Sequence, residues 1–442
     1  MNLEQLRKQA KERVKAGLEP QLSLAQHALA REHGYPSWPA LVHALEANAD
    51  EFVRAATDGR RGRAEALLAA APEIEHDRWA RLVIGRGFDG DPREPGGPRG
   101  WAPILYAAHS VFAPRGLLRE LLERGADPNA TFRNEYGEMS ALYGAAGVVH
   151  DPEMTRLLLE AGANPDDGES LYHACEAESP ECLRLLLEHG AVAPGTYALA
   201  HALDYDRAEH VRLLLEHGAD PNEGALLVHA VRRGCRPELL RLLAAHGAEL
   251  DRRGGEWSTP REQYRTAYQN AVLRGRDDYA EVLAELGAST EVAPEDLAVA
   301  AVARGERPPG GLPSELGPDA QEALWEAAAG GRLDLVVDLV GPDFFAHVGG
   351  GPPGTLLHHA SWIGNADLVR RLLAHGADPV ARSGAEFDTP IAWAALGSFG
   401  WRWEGRDYVA VAELLVAAGA ELEPRFEEVA EGPLLDWLRA RS

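Results

Sequence analysis

The sequence is poor in lysine and cysteine, and it contains no long apolar run. Only three of its 44 basic residues are lysines, and its three cysteines, Cys175, Cys182 and Cys235, are too few for a disulfide framework. No stretch approaches the roughly 18 uninterrupted apolar residues of a membrane-spanning helix, and the charged N-terminus does not resemble a secretory signal. We therefore expect a cytoplasmic protein without disulfides or membrane contact.

The common catalytic motifs are also missing. The sequence has no nucleotide-binding glycine loop, no GxSxG elbow, no HExxH and no CxxC pair. Cys175 and Cys182 fall at core positions of helical patterns and Cys235 falls at a turn, so none is favoured as a nucleophile. We expect a protein that is not an enzyme and needs no cofactor.

The charge of the chain restricts its partners further. The formal net charge is −25, which would repel a nucleic acid. The acidity fits either simple solubility or a basic partner. With 442 residues the chain is too long for one ordinary core, which leaves several domains or a repeat array.

A repeat is visible between residues 157 and 252. The segments LLLEAGANPDD (157–167), LLLEHGAVAPG (185–195), LLLEHGADPNE (213–223) and LLAAHGAELDR (242–252) share one pattern, and their glycines lie 28, 28 and 29 residues apart. Each unit is predicted to contain an alanine-rich helix, a turn and a leucine-rich helix that ends at the glycine. Because neither helix buries its apolar face alone, such units are stable only when stacked.

These segments resemble the ankyrin repeat, most closely in TLLHHASWIGNADLVRRLLAHGADP (355–379) and DTPIAWAAL (388–396). The resemblance extends over about residues 50–422 and implies an all-α ankyrin-repeat solenoid of about eleven helix-turn-helix units with helical caps. The units are predicted to begin near Phe52, Trp101, Met139, Glu169, Thr196, Gly224, Gln263, Pro294, Asp319, Gly354 and Thr389. Those near 294 and 319 are degenerate.

The resemblance also implies three parts. Residues 1–50 look like a short helical leader found ahead of ankyrin arrays in bacterial proteins, and we expect this leader to cap the stack. Residues 51–422 form the predicted array. Residues 423–442 are predicted to be a C-terminal capping helix, since an uncovered terminal repeat would expose apolar surface.

Unit length varies along the predicted array. Units spaced by 28 residues are shorter than the usual ankyrin unit of about 33 residues, so they should lack its projecting β-hairpin. The segment LGSFGWRWEGRD (396–407) is instead an insertion, and repeat packing does not explain its residues Phe399, Trp401 and Trp403. Because long loops are often functional, this aromatic loop is expected either to contact a partner or to fold as a lid on the end of the stack.

In the ankyrin pattern, the residue before the paired alanines faces the concave groove. This column contains His173, His201 and His229 at a spacing of 28 residues. Three ligands of one zinc ion must lie within about 4 Å of each other, whereas adjacent helices pack about 8 to 10 Å apart, so no metal site is predicted. The histidines are expected either to hydrogen-bond to the backbone of the next unit or to meet an extended ligand.

Arginine follows the histidines on the same face. Asn270 continues the column, and Tyr205, Arg233 and Arg274 lie one helical turn further along. Arginines on an acidic protein indicate a protein or extended peptide partner that presents an acidic segment to the groove.

The column becomes aromatic towards the C-terminus. His359, Trp362 and Trp393 are candidate contact residues, whereas His358 stands at the family's structural histidine position and should be held by the backbone. Aromatic residues contribute strongly to interfaces. The alternative for Trp362 is that it packs between neighbouring helices.

The sequence therefore predicts a binding scaffold for a protein or peptide, using the concave groove and the C-terminal aromatic loop. One alternative is an enzyme with an active site near His359, Trp393 and the loop 396–407. Another is a regulatory or immunity partner of a basic protein, which salt-dependent binding would distinguish.

Overall fold

The computed structural model describes residues 3–16, 21–33, 37–255, 263–349, 351–384, 387–398, 406–430 and 432–441. The chain forms two compact units, Met1–Asp220 and Pro221–Ser442. Both units consist mainly of short helices that pack against their neighbours in chain order. None of the helices in these ranges has the length and apolarity needed to cross a membrane.

The first unit begins with the leader. Its helices are Leu3–Lys15, Leu22–Glu32 and Trp38–Thr57. Leu6, Leu29 and Leu41 form a small core of their own. Since the third helix continues past residue 50, the predicted end of the leader, the leader and the first repeat share one helix.

The repeats of the first unit are pairs of short helices. The helices are Arg61–Ala70, Arg78–Val83, Pro103–Ala108, Arg115–Glu123, Ala141–Tyr143, Pro152–Glu160, Ser170–His173, Glu181–Glu188, Ala198–Asp204 and Ala208–Glu216, with 3-10 turns at Pro72–His76 and Ala174–Glu176 and a π turn at Gly144–Val148. One antiparallel hairpin, Thr131–Arg133 with Glu138–Ser140, precedes the unit predicted near 139. From 141 to 220, a stretch described throughout, there is no strand, as the 28-residue spacing predicts.

The second unit continues in the same manner. Its helices are Leu226–Arg233, Pro237–Ala245, Ala267–Leu273, Asp277–Leu286, Pro294–Arg304, Pro318–Ala327, Leu333–Val340, Leu356–Trp362, Ala366–Ala374, Pro390–Gly397, Tyr408–Ala417, Phe426–Val429 and Gly432–Arg439, with a π turn at Ala328–Arg332. A second antiparallel hairpin joins Phe345–Ala346 to Gly354–Thr355. Phe426 and Leu434, from the tail, are buried in the core that begins at Leu273.

A helix lies at each predicted unit start, but not every unit is a helix pair. The helix Pro294–Arg304 is followed by an irregular segment, 305–317. The prediction of a second helix in that unit is therefore wrong. The sequence Pro308-Pro309-Gly310-Gly311 explains the difference, because proline removes a backbone donor and glycine disfavours helix. The helix Arg78–Val83 also has no second helix directly after it, because the Gly/Pro-rich segment 85–100 follows.

The recurring Gly-Ala ending closes the second helix of most pairs. Gly190 and Gly218 have φ of 95° and 86°, and the amide of the next alanine returns to the helix, as in Ala191 N to Leu186 O at 3.0 Å. The ring of His189 bonds through Nδ1 to the carbonyl of Leu185 at 2.8 Å. The His-Gly strings are therefore helix-end structure and do not constitute acid-base pairs.

Candidate functional site

Two residues of the predicted column, His173 and His201, come together in the first unit. His173 ends the helix Ser170–His173, and the chain then tightens into the 3-10 turn Ala174–Glu176. His201 lies within the next first helix, Ala198–Asp204. The two imidazole centroids are 6.1 Å apart.

The carboxylate of Glu176 lies between these two rings. Nδ1 of His173 donates to Oε1 of Glu176 at 2.6 Å, and Nε2 of His201 donates to the same oxygen at 3.1 Å. One carboxylate thus joins two successive repeats through charge-assisted hydrogen bonds. We call His173, Glu176 and His201 the His–Glu–His cluster.

A second carboxylate lies beside the outer nitrogen of each ring. Nε2 of His173 is 3.4 Å from Oε2 of Glu169, and Nδ1 of His201 is 3.5 Å from Oδ2 of Asp204. Each imidazole is therefore placed between an inner and an outer carboxylate. This arrangement orients both rings.

Tyrosine rings frame the cluster on several sides. Tyr172 stacks on His201 with centroids 3.8 Å apart, and Tyr143 meets His173 edge-on at 5.2 Å. Tyr205 meets His201 edge-on, also at 5.2 Å. Such contacts restrict the side-chain rotamers of both histidines.

The electrostatics of the cluster favour the charged forms of Glu176 and His201. Burial alone would raise the pKa of Glu176, but hydrogen bonds from His173 and His201 outweigh it and lower that pKa to about 2. Burial lowers the pKa of His201, whereas Asp204 and Glu176 raise it, and the net effect is a raised pKa. The side chains of His173, Glu176 and His201 are 27%, 28% and 12% exposed, so solvent reaches all three.

Several predicted site residues of the second unit are buried instead. Asn270 is fully buried, and its Oδ1 accepts from Arg274 at 2.8 Å. Arg274 also donates to Glu322 at 2.8 Å, and Arg232 donates to the same carboxylate oxygen at 2.6 Å. The prediction that Asn270 and Arg274 contact an acidic partner is therefore wrong, because both are used inside the protein.

This internal pairing extends to more charged groups. Arg265 pairs with Asp296 at 2.9 Å and with Asp319 at 3.2 Å, and Arg232 pairs with Asp319 at 2.7 Å. We call this set the buried ion network; its members are Arg232, Arg265, Arg274, Asp296, Asp319 and Glu322. Buried charges are tolerated here because each has an opposite charge and a hydrogen bond.

The C-terminal candidates His359 and Trp393 are also buried, with 5% and 4% exposure. Nε2 of His359 bonds to the carbonyl of Ala346 at 3.0 Å, and its ring packs edge-on against Trp393 at 5.2 Å. Burial lowers the pKa of His359 to about 4. Their prediction as contact residues is wrong, because the hairpin that contains Ala346 covers His359 and the Trp393 ring packs beside it.

The structural role predicted for His358 is confirmed. Its Nδ1 lies 2.8 Å from the hydroxyl of Thr355, and its Nε2 lies 2.9 Å from the carbonyl of Asp388. The ring therefore links the start of its own helix to the segment before the next one. Thr355 and His358 together form a capping box.

Other predicted site residues keep access to solvent. Trp362 is 45% exposed, Arg233 is exposed, and His229 and Tyr205 are half-buried. Phe399, Trp401 and Trp403 lie outside the described residues. The contact role of the aromatic loop therefore stays a prediction.

The three cysteines are all buried, as their positions in the helical patterns predict for Cys175 and Cys182. Burial raises the pKa of the Cys182 thiol to about 11 and that of Cys175 still further above its ordinary value. Neutral, enclosed thiols of this kind are poor nucleophiles.

Sequence reasoning missed the central carboxylate of the cluster. The spacing of about 8 to 10 Å between adjacent helices does not apply to Glu176, because its side chain comes from the turn between the two helices. The available signal was the three-residue spacing of His173 and Glu176, followed 28 residues after His173 by His201. Residues three apart on a helical turn share one face.

The described residues define a class of protein, an all-α repeat protein in which paired helices stack along each unit. Residues 142–225 match the family model for ankyrin repeats in three copies, and residues 355–384 match the model for a single ankyrin repeat. The chain therefore contains ankyrin repeats in these two stretches. Ankyrin repeats are generally protein–protein interaction modules, and they typically act as non-enzymatic scaffolds.

One similar solved structure is the ankyrin repeat domain of Bcl-3, described as a unique member of the IkappaB protein family. It is 28% identical to this chain, with 42% of this chain and 86% of that chain covered, and its TM-score is 0.34. A TM-score this low supports no argument from that structure. No curated protein is significantly similar to this chain in sequence.

Proposed function

We propose that this protein is a binding scaffold that holds a protein or extended peptide through one face of its first unit. This histidine–tyrosine face consists of Tyr143, Tyr172, His173, Glu176, His201 and Tyr205. The observation that carries the proposal is the part-exposed His–Glu–His cluster on successive repeats. The cluster links two repeats and still stays within reach of solvent, and tyrosine-rich polar patches suit partner binding.

The charge around this face supports a basic partner segment. Glu169, Glu176 and Asp204 surround the two histidines, and the whole chain carries a net charge of −25. A partner with an acidic segment would need the row of arginines, but Arg274 is paired inside the buried ion network. Of that row, Arg233 remains exposed. The proposed binding of a basic segment agrees with the alternative in which this protein is a regulatory partner of a basic protein.

A second contact surface is proposed at the C-terminal end. Trp362 is nearly half exposed to solvent. In the sequence, the aromatic loop 396–407 begins at the end of the helix Pro390–Gly397. Burial of His359 and Trp393 removes support from the alternative of an enzyme active site there. A cytoplasmic location in a bacterial cell stays a prediction of the sequence.

The test is affinity capture from a lysate of the source organism on immobilised full-length protein, followed by mass spectrometry. The test variant combines Tyr172→Ala with Tyr205→Ala. The matched control is Tyr136→Ala, because Tyr136 lies in the hairpin turn of the same unit and is 80% exposed. Circular dichroism checks that each variant folds.

We expect a basic protein that wild type and control retain and that the double variant loses by about tenfold or more. Because the attraction is electrostatic, retention should fall as ionic strength rises. Equal retention by all three proteins, or retention of an acidic partner, contradicts the proposal.

A further inference from the structure

The His–Glu–His cluster has the chemistry of a metal site. Two imidazole nitrogens and a carboxylate oxygen are ligands that zinc and related first-row transition metals accept. One ligand atom from each of the three residues lies within 4.8 Å of the other two. Among the residues that the structure describes, no other group of histidine, cysteine and acidic side chains meets this condition.

We propose that His173, Glu176 and His201 bind a divalent transition-metal ion of the zinc type. The facing atoms are Nδ1 of His173, Oε1 of Glu176 and Nε2 of His201. Metal–ligand distances of about 2.0 to 2.2 Å place tetrahedral ligand atoms roughly 3.3 to 3.6 Å apart. The hydrogen-bonded contacts of 2.6 and 3.1 Å therefore open slightly when an ion replaces the shared protons.

Side-chain reach makes this possible between neighbouring repeats. The spacing of helices alone excludes an ion held by stacked histidines, but Glu176 comes from the turn after His173 and faces both rings. The three side chains are part-exposed, and their contacts need to lengthen by less than about 1 Å to reach tetrahedral ligand spacing. The site therefore joins two repeats through one ion.

The outer carboxylates are an independent indication. Ligating histidines usually donate their other ring N–H to a carboxylate, which fixes the tautomer and the ring orientation. Glu169 lies 3.4 Å from Nε2 of His173, and Asp204 lies 3.5 Å from Nδ1 of His201. Both histidines thus have a carboxylate within ion-pair distance of the nitrogen that faces away from Glu176, although Nδ1 of His201 forms no hydrogen bond to Asp204.

Three protein ligands leave a fourth position of a tetrahedral ion open. Since solvent reaches the cluster, water or a donor group from a bound partner fills that position. The inference goes beyond the proposed function and does not depend on it, because metal binding is measured on this protein alone.

The first test is calorimetric titration of ZnCl₂ into the metal-free full-length chain. We expect one site per chain with a dissociation constant of about a micromolar or less, and at least about tenfold weaker binding in His173→Ala and in His201→Ala. The matched control is His217→Ala, a helix-end histidine of the same unit whose Nδ1 bonds to the carbonyl of Leu213 at 2.8 Å. Its binding should equal that of wild type.

Binding without a defined stoichiometry, or binding that survives in both cluster variants, overturns the proposal. Because His201 packs against Tyr172, an alanine there can weaken the fold, so Glu176→Gln provides a nearly isosteric second variant. With Co²⁺ as the probe, wild type should show visible absorption bands and Glu176→Gln should lose them. An unchanged Co²⁺ spectrum in a folded Glu176→Gln protein also overturns the proposal.

The outer carboxylates give a finer measurement. Glu169→Gln and Asp204→Asn leave all three ligands in place, so each should still bind one Zn²⁺ with affinity lower by about tenfold. Unchanged affinity in both variants contradicts their positioning role.

Discussion

The two units leave the ionisable side chains on and near the predicted column in different surroundings. In the first unit, His173 and Glu176 are each more than a quarter exposed. In the second, the side chains of Arg274 and Asp319 are 0% and 1% exposed. Charged groups are thus reachable from solvent at the His–Glu–His cluster and enclosed in the buried ion network.

The hairpins account for much of this difference. The first unit has no strand between 141 and 220, so nothing of that kind covers His173 or His201. In the second unit, the hairpin of residues 345–355 folds over the column: the amide of Gly349 donates to Glu322 at 2.8 Å, and the carbonyl of Ala346 accepts from His359 at 3.0 Å. Unit length therefore decides whether a column residue is available for binding.

The largest expected effect is on the buried ion network. Glu322→Ala leaves Arg232 and Arg274 without their shared carboxylate, and we expect a loss of about 3 to 5 kcal/mol in the free energy of unfolding. Urea unfolding measures this loss. The control is Glu285→Ala, which breaks an exposed pair with Arg241 and should cost less than about 1 kcal/mol. Equal losses in the two variants would show that the network is not structural.

The next effect is a pH dependence carried by His359. Its pKa is about 4 in the folded protein and 6.5 as a free side chain, so the unfolded chain takes up the proton first as pH falls. This contribution to stability is complete above pH 6.5 and is lost as pH falls from 6.5 to about 4, amounting to about 3 kcal/mol. Denaturant unfolding at several pH values checks it, and His359→Gln should flatten the curve. Parallel curves for wild type and His359→Gln would contradict the assignment.

The smallest effect is expected at the cluster of the first unit. Glu176→Gln removes the charge from a part-exposed carboxylate that accepts two hydrogen bonds, so without added metal we expect a loss of about 1 to 2 kcal/mol at neutral pH. Glu322→Gln, the same chemical change in the second unit, should cost several times more. A loss at Glu176 as large as that at Glu322 would mean that the cluster is a structural element.

Local patterns predicted the fold well because they depend on neighbours in sequence. The Gly-Ala endings, the capping role of His358 and the burial of Cys175 all follow from the repeat pattern itself. Exposure of the column did not follow from the repeat pattern, because the hairpin before the helix Leu356–Trp362 covers His359, and because Arg274 meets Glu322 from 48 residues away. Glu176 was missed because its position in a 3-10 turn sets the direction of its side chain.

Histidine footprinting is the most direct measurement of the central claim, that the first-unit face binds while the second-unit column is structural. An imidazole-specific reagent, with mass spectrometry, gives the modification rate of each histidine in the free protein and with the captured partner. We predict that His173 reacts much faster than His359 in the free protein, and that the partner slows His173 and His201 but not His217. Fast reaction of His359, or protection confined to His217, would contradict the account.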